Sequence, residues 1–148
     1  MNIQFRHIIS VFPSANNFNV IMLFFRTAIS LELIIVHGLK KLGINGAERE
    51  NIPNPFHLNE AFNDIIAISA NLLFPVFVII GLFTRIAVLP ILAVTLTGYF
   101  VVHLNDVLST KDIPFMYSLA YLLILVLGPG RYSVDYLIDK KRIDRGLI

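Results

Sequence analysis

The sequence predicts an all-α integral membrane protein: a four-helix bundle followed by a short amphipathic C-terminal helix. Three observations predict it. Hydrophobic residues fill 56% of the 148 positions and charged residues 15%, against about 45–50% and about 25% in an average soluble domain. Mean hydropathy is +0.74. Four stretches approach the about 20 apolar residues that a spanning helix needs. They lie at about 18–38, 62–83, 86–104 and 109–128, within a single domain covering residues 1–148.

The elements follow in chain order. Ile3, Phe5, Ile8, Ile9 and Phe12 can lie along the membrane surface. Span 1 is not expected to be a cleaved signal peptide, because Arg26 and Glu32 interrupt it and no small-x-small site follows. A long polar loop, Leu39 to Ala61, leads to span 2, and Thr84-Arg85 forms a tight turn into span 3. After the polar connection Asn105 to Asp112, the apolar core of span 4 is short, Ile113 to Leu127. At about 1.5 Å per residue it reaches about 22 Å. Span 4 must begin earlier, near Ser109, or sit in a thin bilayer. Asp112 as N-cap with Pro114 in the first turn favours the thin reading. Ser133 can then cap a tail helix in which Val134, Leu137 and Ile138 share a face. Lys140, Lys141, Arg142 and Arg145 follow, a pattern suited to anionic headgroups.

Basic residues set the expected orientation. Arg6, Arg85, Arg131, Lys140, Lys141, Arg142 and Arg145 lie on the side of the termini and the 84–85 turn; Lys40, Lys41, Arg49 and Lys111 lie on the other. Both termini are therefore expected in the cytoplasm, with Lys40 and Lys41 running against the bias.

Composition also excludes chemistry. The chain has no cysteine, so disulfides, thiol nucleophiles and thiolate-held clusters are out. A net charge of +2 does not mark a nucleic-acid binder. No metal-ligand spacing, phosphate loop or nucleophile elbow appears, and no metal is expected.

The candidate site residues are the polar groups inside the spans, which are costly there and functional by default. Counting from the cytoplasmic helix ends sorts them by height. His37 and His103 fall at the outer interface. Glu32, Asn71, Tyr99 and Tyr117 fall near the midplane, and Arg26 and Tyr121 lie lower. Arg26, Ser30, Leu33 and His37 share a face of span 1. Arg26 either snorkels toward headgroups or serves the site. Glu32 is expected to face the bundle and bond Asn71, Tyr99 or Tyr117, so that Glu32→Leu costs about 0.6–2 kcal/mol. Pro75 frees the Asn71 carbonyl. The two histidines are expected to line an outer pocket between spans 1 and 3, with Lys40 at its mouth and Arg26 deeper. Such a pocket suits a quinone headgroup. Bis-histidine haem is the disfavoured alternative.

Several features fall into one pattern: His37-Gly38-Leu39-Lys40-Lys41-Leu42, Gly81-Leu82-Phe83-Thr84-Arg85, Val102-His103, and Gly128-Pro129-Gly130-Arg131-Tyr132-Ser133-Val134-Asp135. From about Val20 to Ile138 the chain resembles the DoxX family of small four-helix bacterial membrane proteins. The resemblance implies an inner-membrane location and a subunit or accessory of a quinone-linked redox assembly, with redox partner proteins. Many members carry a span 2 glutamate where this chain has Asn71; Glu32 can take over that charge. The alternatives are a small oligomeric transporter or proton path, and a scaffold without chemistry. Whether the protein is an enzyme is left open at this stage.

Overall fold

In the computed structural model, residues 14–44 and 50–146 are described, and among them every regular element is helical. The expected surface stretch Ile3 to Phe12 lies outside the described residues. Four helices are long and apolar enough to cross a membrane: α1 (Ala15–Lys41), α2 (Glu60–Ile80), α3 (Thr84–Val102) and α4 (Leu108–Leu127). The tail helix, α5, spans Val134–Asp144.

Each start has a local cause. The Ser14 hydroxyl accepts from Asn17 N at 3.2 Å, and the Asn59 amide oxygen accepts from Phe62 N. Ser133, as expected, caps α5 by accepting from Tyr136 N at 3.2 Å. These side chains satisfy amides that have no partner inside their own helix.

One boundary corrects the sequence expectation, and another decides between its two alternatives. Helix α2 stops at Ile80, where Gly81 (φ 72°) and Phe83 (φ 48°) turn the chain in the left-handed region, and Thr84-Arg85 already belong to α3. Helix α4 begins at Leu108, which bears out the start near Ser109 and overturns the thin-bilayer alternative: its 20 residues are long enough to cross a bilayer of ordinary thickness, and Asp112 is not a cap. Pro114 is accommodated inside the helix, not in its first turn.

Helix α1 contains a π-helical section, Leu33–Gly38, before its last turn Leu39–Lys41, and α3 ends in one, Gly98–Val102. Such sections add a residue per turn and re-aim side chains. His37 sits in the first, and His103 directly follows the second.

The bundle runs α1, α2, α3, α4 around its circumference, with α1 and α3 on opposite corners and the α1–α4 seam the thinnest contact. Its core holds Met22 and Leu33 of α1, Val78 of α2, Val88 and Ile91 of α3, and Tyr121 and Ile124 of α4. Outward faces remain apolar: Phe24 is 76% exposed and Ile86 65%. Lipid is as apolar as these side chains, so close packing and hydrogen bonds hold the helices together. Gly38 shows the closeness. A Cβ there would lie 2.6 Å from the Asn71 carbonyl, the one Pro75 leaves without its helical donor.

Candidate functional site

Two groups of polar residues organise the bundle. The first closes its basic end. Gly128 (φ 78°) ends α4, and the chain from Gly128 to Asp135 then touches every other helix. Arg131 N donates to the Asn19 side-chain oxygen of α1 at 2.8 Å. Asp135 N donates to Gly81 O at the end of α2 at 2.8 Å. The Asp135 carboxylate accepts from Phe83 N at 2.7 Å, from Thr84 N at 2.9 Å and from the Thr84 hydroxyl at 2.8 Å. It thus caps α3 and places negative charge at its N-terminus. Ser133 donates to Gly130 O at 2.7 Å while capping α5.

Arg26 is the keystone of this end, and it corrects the snorkelling alternative. Its side chain is 1% exposed. Nη1 donates to Val78 O at 2.6 Å, and Nη2 donates to Tyr132 O. One guanidinium therefore joins α1 to the last turn of α2 and to the motif loop. The carbonyl end of α2 is where a cation is favoured. Gly81 is required beside it: a Cβ there would lie 2.4 Å from Arg26 Nη1 and 2.5 Å from Ser133 Cβ.

The second group runs along the α1–α4 seam toward the loop end. Tyr121 OH donates to the Ser30 hydroxyl at 3.2 Å. One turn up, the His37 ring meets the edge of Tyr117, centroids 5.3 Å apart and planes at 88°. Glu32 stands within electrostatic reach of both. Among the described residues, the Glu32 carboxylate, the His37 ring nitrogens and the Tyr117 hydroxyl have no hydrogen-bond partner.

Glu32 does not face the bundle as expected; it is exposed on the protein's outer surface. The buried side of α1 carries Asn19, Met22, Arg26, Ser30 and Leu33. Glu32 lies two residues, about 200°, from Ser30, which turns it away from that side. Height along the helix matched it to Asn71 and Tyr99, but angle decides contact.

The other expected residues are dispersed. Asn71 is buried, and its amide nitrogen donates to Ala67 O of its own helix at 2.9 Å. Tyr99 packs against Phe100 and Phe115, centroids 4.8 and 5.6 Å away. His103 bonds Asp106 at 2.7 Å beyond α3. The histidines have different partners, Tyr117 of α4 and Asp106 of the connection after α3, and no bond among the described residues joins them. Lys40 is exposed at the loop end, while neighbouring Lys41 pairs with Glu50 at 3.5 Å. Cavities of about 540 and about 580 Å³ lie at the basic end and in the outer loop, and neither lies between α1 and α3.

Sequence reasoning missed Asn19, Thr95 and Ser118, and read Thr84 only as part of a turn; all four are buried. The Ser118 and Thr95 hydroxyls meet at 2.9 Å between α4 and α3. Asn19 was findable, since it continues the Arg26–Ser30 face downward; Thr95 and Ser118 carry no comparable signal.

Comparison with known proteins follows this geometry. The sequence is similar to an uncharacterized protein of Haemophilus influenzae, 28% identical over 97 residues, covering 62% of this chain and 64% of that relative. The match thus spans less than two thirds of that curated relative. No solved structure matches. The sequence pattern of the DoxX family matches residues 21–104, which hold most of α1 and all of α2 and α3, while the Gly128–Asp135 motif lies beyond it. That match covers more than half of the chain, which belongs to the DoxX family.

Proposed function

We propose that this DoxX-family membrane protein is a subunit or accessory of a quinone-linked redox assembly in a bacterial inner membrane, its basic end facing the cytoplasm. One observation carries the reading: the His37 ring meets Tyr117 at the α1–α4 seam, neither bonded to a described residue, with the exposed Glu32 carboxylate within electrostatic reach. Ionisable groups inside a bilayer are normally paired or turned inward. Here three polar groups with free hydrogen-bonding capacity border an apolar, lipid-facing surface. A quinone headgroup needs donors at its carbonyls within such a surface, and the residues fit that demand. Tyr117 offers an O–H and His37 an N–H. Glu32 can hold or release a proton beside them. A bound quinone supplies two-electron, two-proton carrier chemistry. The partner subunit covers the exposed carboxylate and excludes lipid from the seam.

The orientation rests on the basic residues of the motif end, Arg85, Arg131, Lys140, Lys141, Arg142 and Arg145. A second reading, a proton path, draws support from the Tyr121–Ser30 hydrogen bond below the cluster, with Arg26 one turn beneath Ser30 on the same buried face of α1. The two separate cleanly. Gently purified protein is extracted and its quinone quantified per chain. The redox reading expects bound quinone that falls in His37→Ala and Tyr117→Phe while the helical signal is kept. Quinone-free protein that conducts protons in vesicles, with conduction lost in Glu32→Gln, favours the path instead.

A further inference from the structure

The cavity at the basic end has a chemistry that the motif's structural bonds do not use. It measures about 540 Å³ and lies between the start of α3, the end of α4 and α5. Arg85 and Arg142 line it from two different helices. Neither guanidinium makes an ion pair or hydrogen bond with a described residue. Arg85 extends over the end of α4: a Cβ on Gly128 would lie 3.6 Å from its Nη2. Two acids share the cavity. Asp135 is spent on capping α3, with its oxygens occupied by two backbone amides and the Thr84 hydroxyl. Asp139 alone is uncommitted. The rim is apolar and continuous with the lipid-facing surface; Ile86 is 65% exposed and Leu127 43%.

The geometry points to a phosphate-binding site, in which Arg85 and Arg142 clamp a phosphate monoanion at the membrane surface. Guanidinium forks match phosphate oxygens in pairs. Amphipathic α5 forms one wall and brings Arg142 to it. The apolar rim fits the glycerol and first acyl carbons of an anionic phospholipid. A free inorganic phosphate presents the same anion without them. This site is distinct from the general attraction of the tail for anionic membranes, because Lys140 and Lys141 do not line it.

The test uses the full chain in nanodiscs containing equal phosphatidylglycerol and phosphatidylethanolamine, released into native mass spectrometry. The expected result is one retained phosphatidylglycerol per chain. The R85Q/R142Q variant lowers retention by about tenfold or more, Lys140→Gln with Lys141→Gln leaves it within about twofold, and Asp139→Asn raises it. A parallel arm titrates lipid-stripped protein with inorganic phosphate. Saturable binding there, lost in R85Q/R142Q, assigns the free anion as the source; retained lipid that millimolar phosphate does not displace assigns the headgroup. Circular dichroism checks that the variants fold. If the double variant does not, R142Q on exposed α5 is read alone. Equal retention of both lipids with no phosphate binding, or wild-type retention in R142Q, overturns the site.

Discussion

Replacing Arg26 by methionine removes the one side chain that, among the described residues, joins α1 to both α2 and the motif loop. Methionine keeps an unbranched apolar side chain of similar length, so the loss is mainly that of the guanidinium. Two carbonyls, Val78 O and Tyr132 O, lose a charged donor. Hydrogen bonds from charged groups are worth about 1.5–3 kcal/mol each, which sets a range of about 3–6 kcal/mol. Removing the charge also relieves its own burial, and unfolded helices in a membrane find other partners. Both effects pull the figure to the low end, about 3 kcal/mol. For a chain of this size that corresponds to a melting temperature lower by about 6–12 °C. Arg26→Lys retains the charge but loses the fork, and should fall between the two. The assay is thermal unfolding in detergent followed by size-exclusion fluorescence, with the loss confirmed by steric trapping in bicelles. A snorkelling arginine would tolerate lysine without cost. Wild-type stability in both variants would refute the keystone role.

Other consequences follow from the same contacts. Asp135→Ala removes the cap of α3 and should cost about 1–2 kcal/mol in the same melt, with Asp135→Asn recovering part of it. Gly81→Ala should be more damaging, because its Cβ would collide with both Arg26 and Ser133 and the backbone is left-handed there. Gly38→Ala should push α1 away from the Asn71 carbonyl and lower the melting temperature. Glu32→Leu should leave the stability of the isolated chain within about 0.5 kcal/mol of wild type, because the Glu32 carboxylate bonds no described residue of the bundle; a large loss would show that it faces inward after all.

Much of this architecture is legible in the sequence, and the reasons are local. Span number and length follow from uninterrupted apolar runs. The start of α5 follows from Ser133, whose hydroxyl is followed by a helical repeat. The shared face of Arg26, Ser30 and His37 follows from helical periodicity. What failed needed angles or neighbours. Glu32 was placed by height alone, which ignores which way a helix surface points. The expected pairing of His37 with His103 required knowing that α1 and α3 stand on opposite corners, and connection lengths do not encode that. Arg26 stayed open between headgroup anchor and site residue because its partners are backbone carbonyls, and any sequence supplies carbonyls. The preference for a short α4 capped by Asp112 failed because polar Ser109, Thr110, Lys111 and Asp112 fill its first turns, as they can at a membrane interface, while the alternative start near Ser109 agrees with the helix.

The claim that the α1–α4 seam receives a quinone headgroup is tested most directly by photo-crosslinking. Membranes containing the full chain are illuminated with an azido-quinone, and the labelled peptides are mapped by mass spectrometry. The account predicts label on the α1 segment around Glu32 and His37 and on the α4 segment around Tyr117, competed by unlabelled quinone and reduced in Tyr117→Phe. Label that is absent, spread evenly over lipid-facing positions, or unchanged in the His37→Ala, Tyr117→Phe double variant would contradict it.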